Sequence, residues 1–261
     1  MERDFWTFLK ARKASSLSGV PYTYKILSKL KFSQMELPSL RTLTQAGGKL
    51  DNELNREFSE VCLHSGKRFF VMYGQTEATA RMSYLPPQFS LAKLGSIGIP
   101  IRGGEFSLID DKGAEIKDND LTGELVYKGK NVSMGYATCG DDLKKDDENH
   151  GILFTGDLAR RDSDNFYYIV GRKQRFLKIF GNRVNLDEIE SLLGNSFSDC
   201  ACTGQDDHLI IYTTDKSRLN EIQNYLFVKT GINKDVFSLR HCVEIPKNSA
   251  GKTIYSNLDI S

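Results

Sequence analysis

The sequence predicts an α/β protein with a layered α/β region over 1–94, a small β-barrel-like subdomain over 95–173 and a small α+β domain over 174–261. Three observations predict it. The first hundred residues alternate short apolar strands with an amphipathic helix and place glycines at the strand ends. The next stretch carries short strands punctuated by turn dipeptides. After a charged segment at 171–175, a capped amphipathic helix opens the third region.

Pro21 suits the first turn of a helix in which Tyr22, Ile26, Leu27 and Leu30 share a face. Leu40–Thr44 reads as a strand that runs toward Gly47-Gly48. Asp51 is a helix N-cap, with Leu54, Phe58, Val61 and Cys62 on one side and Ser65-Gly66 as the stop. Arg68–Met72 is the next strand, and it feeds Tyr73-Gly74-Gln75-Thr76-Glu77. Loops at the carboxyl ends of strands are where open α/β sheets bind ligands. Glu105–Ile109 followed by Asp110-Asp111-Lys112-Gly113 is a hairpin signal, and Glu124–Tyr127 and Phe166–Val170 are further strands. Asn185 and Glu188 resemble a capping box for a helix that carries Leu186, Ile189, Leu192 and Leu193. Leu209–Tyr212 is a strand, and Leu219–Val228 a helix closed by Gly231.

Composition excludes several classes. Lys and Arg number 35 against 34 Asp and Glu, so no basic excess argues for a nucleic-acid partner. No apolar run reaches signal-peptide or membrane-spanning length, and a soluble cytoplasmic protein with no membrane partner is expected. The five cysteines form no C-x-x-C pair and the four histidines no i,i+4 pair, so no zinc site is expected. Free buried thiols in a reducing compartment are the simplest reading.

Four segments offer chemistry, and each has a plainer explanation on its own. In Tyr73-Gly74-Gln75-Thr76-Glu77, a tyrosine can stack on a purine, a threonine can bond phosphate and a glutamate can help hold Mg²⁺. The plain alternative is a polar loop. Asp157 in Thr155-Gly156-Asp157 can accept two hydrogen bonds from a ribose diol, or simply make a turn. Gly171-Arg172, with Lys178 and Gly181-Asn182 following, can equally be a solvated basic linker. Pro246–Thr253 lacks the first glycine of a Walker A loop, and its Lys252 can be an ordinary surface lysine.

Order and spacing change the balance. Together these segments resemble the adenylate-forming superfamily of acyl- and aryl-CoA synthetases, luciferases and peptide-synthetase adenylation domains. The resemblance includes Ser16–Pro21 as the helix beside the acyl pocket, Ala46-Gly47-Gly48 as the adenine turn and Tyr73–Glu77 as the adenine and Mg²⁺ motif. It continues through Gly123-Glu124-Leu125 with Gly135-Tyr136, Thr155-Gly156-Asp157, Gly171–Glu190 and Gly251-Lys252. It implies an ATP-dependent acid ligase that forms an acyl-AMP and passes the acyl group to a thiol of CoA or a carrier pantetheine. By resemblance, Tyr73 stacks on adenine, with Gly47, Gly48 and Gly74 around it. Thr76 touches the α-phosphate, Glu77 binds Mg²⁺, Asp157 holds the ribose beside Arg172, Lys178 lines the thiol tunnel and Lys252 serves adenylation. The implied partners are a small carboxylic or amino acid, and CoA or an acyl carrier protein.

The departures concern the start of the chain, the hinge and the C-terminal motif. The superfamily's glycine-rich phosphate loop lies upstream of its acyl-pocket helix, and nothing before residue 16 can carry it. A partial α/β region and low turnover by the isolated chain are therefore expected, with a separate N-terminal half or self-association as a further partner. The hinge position holds Gln174, and Tyr255 stands where arginine is frequent. A non-catalytic complementing fragment and a truncated inactive product remain the alternatives.

Overall fold

A computed structural model describes residues 3–173, 175–194, 196–197, 199–248 and 251–258, with the side chains of Arg3 and Arg183 left aside. Two compact units result: Met1–Thr155 with Ala159–Ile169, and Gly156–Leu158 with Val170–Ser261.

The first unit opens with helix α1 (Arg3–Ala11), then alternates β1 (Ser16–Gly19), α2 (Pro21–Lys29), β2 (Thr42–Gln45), α3 (Asn52–His64) and β3 (Arg68–Tyr73). β1 pairs in parallel with β2, and β2 with β3, so Thr42 faces Arg68 and Gln45 faces Val71. Two short strands, β4 (Ser83–Tyr84) and β5 (Ile99–Pro100), extend the sheet with antiparallel pairings, in the order β1-β2-β3-β4-β5. Parallel neighbours need a crossover, and here the crossovers are α2 and α3. Each helix buries one stripe: Tyr24 and Leu27 in α2, Phe58 and Cys62 in α3. Tyr24 and Phe58 meet edge to face at 4.9 Å, with Leu43 and Phe69 in the same core. The Tyr24 hydroxyl donates to Thr44 O at 2.8 Å, and burial pushes its phenol well above the ordinary range. Asp51 caps α3 by accepting from the backbone N–H groups of Glu53 and Leu54.

The sequence expectation needs two corrections here. Ser16–Gly19 is an edge strand, and the helix begins only at Pro21. Tyr22 and Leu30 lie outside the buried stripe, at 59% and 41% exposure, because Tyr24 occupies the sheet-facing turn.

A second sheet runs in chain order through β6 (Gly104–Ile109), β7 (Thr122–Gly129), β8 (Ile152–Arg161) and β9 (Tyr167–Arg172). It is an open four-strand order rather than a closed barrel. β6 and β7 pair antiparallel from Gly104↔Gly129 to Ile109↔Glu124. Asp110 shapes the expected turn, accepting from the N–H groups of Lys112 and Ala114.

The second unit continues with β10 (Phe176–Ile179), β11 (Asn182–Asn185), α4 (Leu186–Gly194), β12 (Cys200–Gln205), β13 (His208–Thr213), α5 (Leu219–Thr230) and β14 (Phe237–His241). β13 lies between antiparallel β12 and parallel β14. Leu209 and Ile211 pack with Leu186, Ile189, Leu193, Ile222 and Leu226, whereas Ile210 and Tyr212 pack with Ile245 and Leu258. Both faces of β13 are covered, so its sequence is apolar throughout. Asn185 caps α4 by accepting from Asp187 N at 2.9 Å, and Gly231 ends α5 in the left-handed region.

None of the five cysteines is in a disulfide; Cys62 and Cys202 are buried, but Cys139 is exposed. Among the described residues no helix is long and apolar enough to cross a membrane. Phe58 has no exposed surface. Phe58→Ala should cost about 3–5 kcal/mol of stability, to be read as a lowered midpoint in urea unfolding followed by circular dichroism.

Candidate nucleotide site

The parallel pairing of β2 with β3 puts the loops that follow them side by side at one sheet edge. After β2 the chain turns through Gly47, whose φ of +84° is costly for any residue with a side chain. Gln45, fully buried, donates its amide to Gly48 O at 2.8 Å and so braces this turn; its Oε1 is a buried acceptor with no partner among the described residues. At the end of β3, Tyr73 is half-buried with its ring against Phe106, the centroids 6.3 Å apart. Gly74 follows because nothing larger fits: a Cβ there would lie 2.6 Å from Ala80 O and 2.8 Å from Arg81 Cα. Thr79 and Ala80 take left-handed φ values of 53° and 60°, which turn the chain back so that Ala80 N donates to Gln75 O. Non-glycine residues in that region store about 1–3 kcal/mol each.

Within this loop Gln75 donates its side-chain amide to Thr155 O at 2.9 Å, and the Thr155 hydroxyl donates to Leu125 O at 2.7 Å. The loop is thereby tied to β8 two residues before Asp157. Thr76 is exposed at the start of a short 3-10 turn. Glu77, half-buried, accepts from the Tyr136 hydroxyl at 2.5 Å, and this bond holds its carboxyl below the usual glutamate range.

The remaining predicted residues belong to the second unit. Asp157 is buried, and its Oδ1 accepts from Arg172 Nε at 3.0 Å, with the Arg172 side chain largely exposed. Lys173 N donates to Gly156 O at 2.8 Å, fixing the turn beside the aspartate. Lys178 is exposed on β10, and its backbone N–H donates to Asp206 Oδ1. Lys252 is exposed on a hairpin whose strands meet at Lys247↔Thr253, with Gly251 at φ +76°. Gln174, the expected hinge, lies outside the described residues.

The sequence reading missed four contributors. Gln45 sits in line with its strand, and only its polarity at an inward position marks it. Gln75 and Tyr136 lie inside recognised motifs, but their partners are 80 and 59 residues away. Arg175, read as part of a solvated linker, has a side chain only 13% exposed and is paired with Asp187 and Glu190. Among the described residues no group of three or more His, Cys, Asp or Glu could hold a metal ion.

Comparison with known proteins shows the family. The AMP-binding enzyme family model matches residues 1–137. An acetyl-coenzyme A synthetase 2 of Debaryomyces hansenii is 30% identical over 216 residues, 78% of this chain and 32% of its own length. A 4-coumarate–CoA ligase of Humulus lupulus is 28% identical over 235 residues, 84% of this chain and 42% of its own length. The solved o-succinylbenzoate CoA synthetase of Bacillus subtilis, in complex with its acyl-adenylate intermediate, superposes with a TM-score of 0.78 at 24% identity. That match covers 99% of this chain and 53% of the synthetase. The chain thus spans less than half the length of these two curated relatives. The chain belongs to the AMP-binding enzyme family.

Proposed function

We propose that the chain is the part of an ATP-dependent acid–thiol ligase that carries the adenine, ribose and C-terminal lysine sites. The observation that supports this most is the pairing of a braced glycine turn, Gly47-Gly48, with the Tyr73–Glu77 loop at the carboxyl edge of two parallel strands. The named relatives are an acetyl-coenzyme A synthetase, a 4-coumarate–CoA ligase and an o-succinylbenzoate CoA synthetase.

The residues fit the groups such a reaction needs. Mg²⁺ keeps several waters and takes one or two carboxylates together with phosphate oxygens. Glu77 offers one carboxylate, kept ionised by Tyr136. The turn at Gly47 and Gly48 leaves backbone accessible to a flat ring, and Tyr73 supplies an aromatic face at the end of the neighbouring strand. Asp157 is a buried carboxylate with an arginine already on one oxygen, suited to a ribose diol.

The reaction would run in two displacements. A carboxylate oxygen of the acid attacks the α-phosphorus of ATP while the bond to pyrophosphate breaks. A thiol sulfur of CoA or a carrier pantetheine then attacks the acyl carbon, and AMP leaves. Thr76 would donate to the α-phosphate and Lys252 would neutralise charge between the carboxylate and the phosphate. A compact ammonium with three rotatable donors suits an oxyanion whose geometry changes during the reaction. Lys178 would act in the thiol step.

Two measurements test this reading. The chain, alone and mixed with the N-terminal half of a family ligase, is assayed for ATP–pyrophosphate exchange across a panel of carboxylic and amino acids. Where exchange occurs, Lys252→Ala should slow it by about 10²–10³-fold while transfer from supplied acyl-adenylate survives. Equal loss of both steps would remove Lys252 from adenylation, and no exchange with any acid in either arm would overturn the ligase reading. The second measurement concerns Glu77. Tyr136→Phe removes the donor that favours the charged carboxylate, so the Glu77 pKa should rise toward the ordinary range in a ¹³C NMR titration. Because protonation competes with a cation, Mg²⁺-dependent activity of the variant should fall off at a higher pH than in the parent. An unmoved Glu77 titration would rule out this support.

A further inference from the structure

The buried cluster in the second unit has no part in the roles assigned above. Glu190, on α4, uses both carboxylate oxygens. Oε1 accepts from Arg175 Nη2 at 2.7 Å and from Cys202 N at 2.6 Å, and Oε2 accepts from the Tyr255 hydroxyl at 2.8 Å. Arg175 also donates from Nε to Asp187 Oδ1 at 2.5 Å and from Nη1 to Cys202 O at 3.2 Å. Its guanidinium carbon stacks 3.7 Å from the centre of the Tyr255 ring. Arg175 and Glu190 are 13% and 19% exposed, so these contacts are poorly screened.

Position in the chain gives the cluster its significance. Arg175 immediately follows the hinge position. Tyr255 immediately follows the hairpin that carries Lys252. That hairpin is closed at its base by Ile254 N donating to Pro246 O at 2.8 Å. Farther out, Asn248 N donates to Lys252 O at 2.9 Å, and Lys252 N donates to Asn248 Oδ1 at 3.0 Å. Among the described residues, the exposed pair Lys247–Asp199 holds one side of the hairpin, Tyr255 on Glu190 follows it, and Ile245 and Leu258, before and after it, lie in the apolar layer with Ile210 and Tyr212. Glu190 thus bridges Arg175 and Tyr255, beside the direct stacking of the guanidinium on the Tyr255 ring.

We propose that Glu190 couples Arg175 to the lysine hairpin through Tyr255, making Tyr255 and Glu190 positioning residues for Lys252. The proposal rests on the role of Lys252 in adenylation given above. It adds that the placement of the lysine depends on the guanidinium beside the hinge. Glu190→Gln keeps an acceptor for the Tyr255 hydroxyl but removes the charge that binds Arg175, so it separates the two halves of the coupling.

The test uses the full 261-residue chain, ¹⁵N-labelled, with amide hydrogen exchange followed by NMR. Loss of a hydrogen bond to a charged group should speed exchange at Gly251, Lys252 and Ile254 by about tenfold in Tyr255→Phe, with the amides of Leu209–Ile211 unchanged. Arg175→Lys should speed the same hairpin amides in the parent chain and add much less in the Glu190→Gln background, where only its stacking on Tyr255 is left to lose. Three results would each overturn the coupling: unchanged hairpin exchange in Tyr255→Phe, acceleration spread equally over β13, or an Arg175→Lys effect undiminished in the Glu190→Gln background. Should Tyr255→Phe fail to fold, the Arg175→Lys and Glu190→Gln pair decides alone. In the pyrophosphate-exchange assay, Tyr255→Phe should lower kcat about tenfold, leave KM for the acid unchanged and spare transfer from supplied acyl-adenylate. A parent chain without exchange both alone and mixed with the N-terminal half would count against the ligase reading, while the amide measurements would still decide the coupling.

Discussion

The parallel ladder of β1, β2 and β3 is the constraint on which the candidate nucleotide site depends. A parallel pair cannot be closed by a tight turn, so each strand must return across the sheet through a helix. α2 and α3 make those returns, and the loops after β2 and β3 leave from the same edge. The two loops stay where they are because the sheet beneath them is anchored by Tyr24, Phe58 and Phe69, none more than 1% exposed. The loop after β3 is then forced inward. Gly74 lies too close to Ala80 and Arg81 for any side chain, and two left-handed residues bring the chain back. Such crowding would destabilise a connection whose only task was to join two strands. It has a use where a particular side chain must be aimed.

The elements legible in the sequence are those whose local pattern and tertiary role agree. Asp51 signals a cap and caps; Gly231 signals a stop and stops. Leu209–Tyr212 reads as a strand because helices cover one face and Ile245 and Leu258 cover the other, leaving no polar alternation to find. Ser16–Gly19 was illegible as a strand for the opposite reason. Ser-Leu-Ser-Gly has little intrinsic strand preference and exists as a strand through its pairing with β2. The two-residue strands β4 and β5 are likewise set by their partners.

The candidate site shows the same division. Motif spacing marks Tyr73–Glu77, Asp157 and Lys252, and by resemblance suggests what each does. It is silent on the bonds that orient them, because those bonds join residues far apart in the chain. Gln75 reaches Thr155 and Tyr136 reaches Glu77. Arg175 is the sharpest case. In a charged run an arginine is most often solvated, yet here the two carboxylates that bury it lie 12 and 15 residues on. The i,i+3 spacing of Asp187 and Glu190 on α4 presents them to one guanidinium, a pattern visible only once α4 is known to pack against β12.

A buried ionic cluster is weak evidence for stability, since the desolvation of each charge offsets most of what the pairing returns. Burial pushes the Glu190 carboxyl up, against the pull of Arg175, and pushes the Tyr255 phenol up as well. Apolar side chains of similar size would pack the same space without that cost. What they would lack is direction. A guanidinium fork, a carboxylate with two oriented oxygens and a phenol hydroxyl accept one arrangement and resist others. The segment around Lys252 gains from such direction, because Lys252 is exposed and Tyr255, held on Glu190, follows shortly after it. Asn248 bonds across to Lys252, and Glu190 holds Tyr255, the residue that follows Ile254.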